Sequence, residues 1–170
     1  TSPKTEEDQV KWDAAKAYFK SVAKDGNKLI PSQDLYDALQ TNPKAFNVID
    51  IRGASDYEAG HIEFSTHTAW TNVGSILETL PKNDRIVIAC FSGQTAGQTV
   101  GVLRTLGFDA YSLTGGINNG WKAAELPGSI VLCDFIADIM PSDTGGMFTW
   151  KLMGSGGSRG LQNRWLYKSQ

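Results

Sequence analysis

The stretch "RIVIACFSGQTAGQTVGVLRTLG", residues 85–107, decides how this chain folds. It opens on "RIVIAC", a run of branched apolar residues suited to a strand buried on both faces. It closes on "TAGQTVGVLRTLG", a helical segment ending at Gly107, where a left-handed C-terminal residue is wanted. Between them the chain turns sharply, and Gly93 permits backbone angles that other residues resist. Cys90 therefore stands at a strand-to-helix junction, the place where ligands bind in parallel sheets.

The flanking sequence repeats the alternation. "KLI" and "FNVIDI" read as strands, with "PSQDLYDALQ" between them as a helix N-capped by Ser32. "SDYEA" is a short helical turn, "STHTAW" a strand, and "VGSILETL" a helix that stops at Pro81. "DAYSL" is a further strand and "GINNGWKAAEL" a further helix. Strands alternating with helices predict an α/β fold, a central mostly parallel sheet with helices on both faces. Residues 6–24 predict an amphipathic N-terminal helix, with Val10, Ala14, Tyr18 and Val22 at helical spacing and Trp12 and Phe19 near that face.

The domain boundaries follow: a helical extension over residues 1–27, the α/β domain over 28–127, and a C-terminal extension over 128–170. The last segment joins an apolar run, "SIVLCDFIADIM", to the Gly- and Ser-dense "PSDTGGMFTWKLMGSGGSRG". Its aromatics, Phe148, Trp150, Trp165 and Tyr167, predict packing on the same domain.

The chain has 170 residues, 41% hydrophobic and 20% charged, with a net charge of -2. No basic excess points to nucleic acid. No apolar run reaches the roughly 18 residues of a spanning helix. An exported location follows if Thr1 marks a processed N-terminus, a cytoplasmic one otherwise. Two cysteines, Cys90 and Cys133, make no disulfide scaffold. With two histidines besides, they make no zinc constellation. Cys133, in apolar surroundings, reads as a buried structural thiol.

Cys90 reads differently. The first turn of the following helix has amide N–H groups without intrahelical partners. With the loop amides they form a concave nest facing the sulfur. Such a setting stabilises a thiolate and lowers the thiol pKa. Ser92 and Thr95 add hydroxyl donors, and Phe91 gives the mouth an apolar rim.

Three motifs in order, "NVIDIRGASDYEAGHI", "IVIACFSGQTA" and "LRTLGFDAYSLTGGINNGW", resemble those of the rhodanese family of sulfurtransferases. The resemblance covers about Leu29 to Pro127. It implies a persulfide-forming Cys90, with Phe91, Ser92, Gly93, Gln94 and Thr95 as the loop whose amides surround the sulfur. Related phosphatases use Cys-x5-Arg, whose arginine grips phosphate; here Ala96 stands at that position. Asp50 and Arg52 end the "NVIDI" strand, and an ion pair of Arg52 with Asp56 would hold the following loop. His61 shapes its loop through backbone hydrogen bonds, since a thiolate activated by amides needs no adjacent base. "LTGGINNGW" reads as a tight turn without the glycine pattern of a phosphate loop.

The expected activity is transfer of a sulfane sulfur from thiosulfate, mercaptopyruvate or a polysulfide or persulfide. The acceptor is cyanide, a thiol or a protein cysteine, reached through a Cys90 persulfide without metal or cofactor. The alternatives are a rhodanese-like binding module and a persulfide carrier or redox sensor.

Overall fold

The computed structural model describes residues 5–128 of the chain. Five strands form one sheet in the order β1-β5-β4-β2-β3. They are β1 Leu29–Ile30, β2 Asn47–Asp50, β3 Thr66–His67, β4 Arg85–Ala89 and β5 Asp109–Leu113. Every pairing is parallel, so each connection crosses a face of the sheet. Helices α1 Glu6–Asp25, α2 Ser32–Thr41, α3 Ala54–Glu58 and α4 Gln94–Thr105 join them.

The central strand β4 alternates with period two, and each set of side chains enters a different core. Val87 and Ala89 pack with Leu35 and Leu39 of α2, and with Ile117 and Trp121. Ile86, Ile88 and Cys90 pack with Ala96, Val100 and Leu103 of α4. The parity of the strand thus places Cys90 on the α4 side. A register slip of one residue would turn it to the other face. Ala96, Val100 and Leu103 recur at helical spacing and are all nearly or fully buried.

Several local expectations are corrected. Ser32 is not the N-cap of α2; Pro31 holds that position and Ser32 is the first helical residue, its hydroxyl buried without a partner. The "STHTAW" strand shrinks to Thr66–His67. The helix expected from "VGSILETL" lies earlier, as a 3-10 segment over Trp70–Ile76. "GINNGW" winds as a π-helical turn over Gly116–Trp121.

The amphipathic α1 forms, but none of its residues is buried: Val10 and Phe19 are each 69% exposed. Among the described residues, the side-chain contacts from α4 hold it near its C-terminal end. Arg104 of α4 donates to the Gly26 carbonyl and the Ser21 hydroxyl, each at 3.0 Å, and its guanidinium lies 5.4 Å from the Tyr18 ring centre. Cys133 and the aromatics expected to pack from the C-terminal extension lie outside the described residues.

The expected ion pair is also reassigned. Arg52 pairs with Asp50, not with Asp56: Nη2 donates to Asp50 Oδ2 at 2.7 Å and Nε to Oδ1 at 3.0 Å. Two residues apart at the end of β2, the pair is 3% and 1% exposed. Arg52 Nη2 also donates to the Gly60 carbonyl at 2.7 Å, and Asp50 Oδ1 accepts the Arg52 backbone amide. Asp56 instead sits in the first turn of α3, where its charge suits the helix N-terminus. Removing one member of a buried pair strands the other charge. Asp50→Asn is therefore expected to cost about 3–5 kcal/mol of stability, read as a lowered midpoint in urea unfolding.

Candidate active site

Cys90 follows directly on β4, level with the end of β2, where Asp50 pairs with Ala89 in register. The residue is 2% exposed. Two amides converge on its sulfur: Gly93 N–H donates to Sγ at 3.1 Å and Ala96 N–H at 3.4 Å. Gly93 is the N-cap of α4 and adopts φ 92, the left-handed conformation that carries the chain from strand into helix.

These contacts set the acidity of the thiol. Burial is the largest influence and raises the pKa. The Thr95 hydroxyl and the amides of Ala96, Ser92 and Gly93 oppose it and together prevail. The thiol therefore lies below its ordinary range. The peptide dipoles favour the anionic form of the sulfur, as at other helix N-termini.

The loop is shaped from behind by the segment that reads in sequence as a mere tight turn. Ile117 N–H donates to the Cys90 carbonyl at 2.7 Å, and Asn118 N–H to the Phe91 carbonyl at 2.9 Å. In a trans peptide the carbonyl and the following N–H point in opposite directions. Fixing the Phe91 carbonyl on Asn118 therefore turns the Ser92 amide the other way, onto the sulfur side. Gly116 makes this contact feasible. It adopts φ 60, and a Cβ there would stand 2.5 Å from the Cys90 carbonyl oxygen and 2.6 Å from the Ser92 nitrogen. The sequence signal was the Gly115-Gly116 pair itself, but a double glycine does not say which backbone it approaches.

The remaining predicted residues occupy the surroundings. Phe91, 42% exposed, has its ring centre 5.8 Å from the Arg52 guanidinium carbon. Ser92 and Gln94 are exposed and Thr95 half-buried. Asp50 and Arg52 brace the neighbouring strand end. His61 Nδ1 donates to the Tyr57 carbonyl at 2.9 Å, and its ring stacks on Tyr57 at 3.9 Å between centres. His67 Nε2 donates to the Arg52 carbonyl at 2.9 Å. Both histidines thus have a ring nitrogen engaged by main chain. Ala96 is fully buried where the related phosphatases carry arginine. No group of three or more His, Cys, Asp or Glu side chains able to hold a metal ion occurs among the described residues.

The rhodanese-like domain model matches residues 32–124. The chain belongs to the rhodanese-like domain family. It is 33% identical over 70 residues to the thiosulfate sulfurtransferase GlpE of Pseudomonas fluorescens, over 41% of this chain and 64% of that protein. It is 32% identical over 78 residues to the protein of that name from Pseudoalteromonas translucida, over 45% of this chain and 73% of the relative. The chain thus spans somewhat less than two thirds of the first of these relatives. Two solved structures share the fold. A rhodanese-related protein from Thermoplasma volcanium superposes with a TM-score of 0.54 at 23% identity, over 61% of this chain and 98% of that one. A rhodanese-like domain from Anabaena gives 0.55 at 22%, over 76% and 98%. Membership of this family agrees with the parallel sheet.

In a Cys133→Ser background, so that one thiol reports, the rate of Cys90 alkylation by iodoacetamide is expected to rise with pH through a midpoint below that of the same thiol in the urea-unfolded chain. The sign follows from the depressed pKa. Ionisation contributes stability above the unfolded-state pKa, and that contribution is lost as pH falls through the folded value. Thr95→Val removes a donor to the anion and is expected to move the alkylation midpoint upward. Gly116→Ala is expected to push the Cys90 loop out of place, seen as an upward-shifted midpoint and a lower melting temperature.

Proposed function

We propose that this chain is a sulfurtransferase in which Cys90 carries a sulfane sulfur between a donor and a thiophilic acceptor. The observation that supports this most directly is the convergence of the Gly93 and Ala96 amides on the Cys90 sulfur. Those dipoles favour the thiolate, which is the nucleophilic form. They remain in place when the anion moves one atom outward as Cys–S–S⁻, so one cup serves both states of the cysteine.

The reaction has two half-steps. The Cys90 thiolate attacks the outer sulfur of thiosulfate, a polysulfide or a persulfide, or the single sulfur of mercaptopyruvate, whose C–S bond breaks to release the pyruvate enolate. A new Sγ–S bond forms, and the remainder of the donor leaves with the electron pair of the bond that breaks. An acceptor such as cyanide, a thiol or a protein cysteine then attacks the outer sulfur and regenerates the thiolate. Sulfur moves without net oxidation, so the scheme requires no redox cofactor. Gly93 and Ala96 hold the charge, Thr95 and Ser92 supplement them, and Asp50 and Arg52 keep the adjacent strand end rigid.

Intact-protein mass spectrometry after incubation with these donors is expected to show one added sulfur. Cyanide should discharge it with release of thiocyanate. Cys90→Ser is expected to lose both signals, a loss of at least about a thousandfold in turnover, as for other covalent nucleophiles. Failure of the wild type to take up sulfur from any donor would sink the proposal.

A further inference from the structure

Among the described residues, the mouth of the Cys90 loop presents an aromatic ring rather than a cation. Residues Phe91 to Thr95 carry no charge, and none follows in the first turn of α4. The guanidinium that the structure brings against Phe91, that of Arg52, is 3% exposed and already bonded to Asp50 and to the Gly60 carbonyl. Its charge is compensated inside the protein and is not offered to a ligand. Phe91 itself is 42% exposed.

We propose that Phe91 sets donor specificity, and that the site takes sulfur from a carbon-bound persulfide, R–S–SH, in preference to the thiosulfate dianion. This rests on the sulfur-transfer reading of Cys90. A dianion approaching an anionic thiolate is repelled, and the amides around Sγ face the cysteine's own charge. A persulfide brings no second charge into the cup in its protonated form, and only one as an anion where thiosulfate brings two. Its carbon group can lie on the Phe91 ring. The step balances: the Cys90 thiolate attacks the terminal sulfur, the Sγ–S bond forms as the donor S–S bond breaks, and the electron pair leaves as R–S⁻. The proton stays on the transferred sulfur, and nothing is oxidised or reduced overall.

The test compares kcat/KM for benzyl persulfide and thiosulfate, with cyanide as acceptor. Wild type is expected to favour benzyl persulfide by about tenfold or more, the scale of apolar pocket contacts. Its thiosulfate reaction is expected to vary little with ionic strength. Phe91→Arg is expected to raise thiosulfate kcat/KM about tenfold and to make it fall with added salt, as steering by an exposed cation does. Gln94→Arg is a second variant should the first fail to fold, and Phe91→Ala is expected to lower benzyl persulfide kcat/KM about tenfold. A persulfidated cysteine-containing peptide distinguishes the source: a kcat/KM above that of benzyl persulfide assigns a protein donor, and a lower one a small molecule. Turnover through Cys90 with thiosulfate preferred over benzyl persulfide would overturn the specificity inference and leave sulfur transfer standing. So would folded arginine variants that leave the donor ratio unchanged. Absence of Cys90-dependent turnover with every donor would remove both.

Discussion

The orientation of a few peptide planes governs the rest of this site. The Cys90 and Phe91 carbonyls accept hydrogen bonds from Ile117 and Asn118 behind the loop. Because a trans peptide opposes its carbonyl and amide, the bond from Asn118 to the Phe91 carbonyl turns the Ser92 N–H toward the sulfur. Side chains contribute little to that geometry. The close approach of Gly116, where any Cβ would collide with loop backbone, allows the two segments to meet. A concave nest of amides is thus built from two parts of the chain more than twenty residues apart.

The electrostatic outcome is a contest between burial and dipoles. Sealing a thiol in the core favours its neutral form. Here the cysteine is 2% exposed, and the Thr95 hydroxyl and three amides still prevail. Fixed dipoles of this kind need no reorganisation as charge develops. The arrangement suits a nucleophile that acts without a neighbouring base. His61 and His67, each with a ring nitrogen bound to main chain, fit a role in shaping the loop that follows α3.

The scaffold brings these parts together through strand parity and one buried ion pair. Period two along β4 puts Cys90 beside Ala96 and Val100 of α4, so sulfur and helix N-terminus share one side of the sheet. Asp50 and Arg52 close the neighbouring strand end, and Arg52 donates to the Gly60 carbonyl, which anchors the loop between α3 and β3. By contrast α1 buries none of its residues and is held near its C-terminal end through Arg104. Its amphipathic pattern specifies a helix without specifying what covers it.

Much of this was determined by the sequence alone. The branched apolar run of β4, the following glycine-containing turn and the helical spacing of α4 specify a strand–loop–helix unit by local chemistry. The alternation around it implies the parallel sheet. The cysteine stands out because its position relative to that unit can be counted along the chain. Other features required the tertiary structure. Arg52 has two acidic neighbours in sequence, and the side chain's path back along β2 selects Asp50 over Asp56. Ser32 has the residue type of an N-cap, yet packing beside Gly120 buries its hydroxyl as the first residue of the helix. The Gly115-Gly116 turn declares its flexibility in sequence but not its partner. Spacing along a chain reports local conformation, while the meeting of two distant backbones depends on how the sheet folds them against each other.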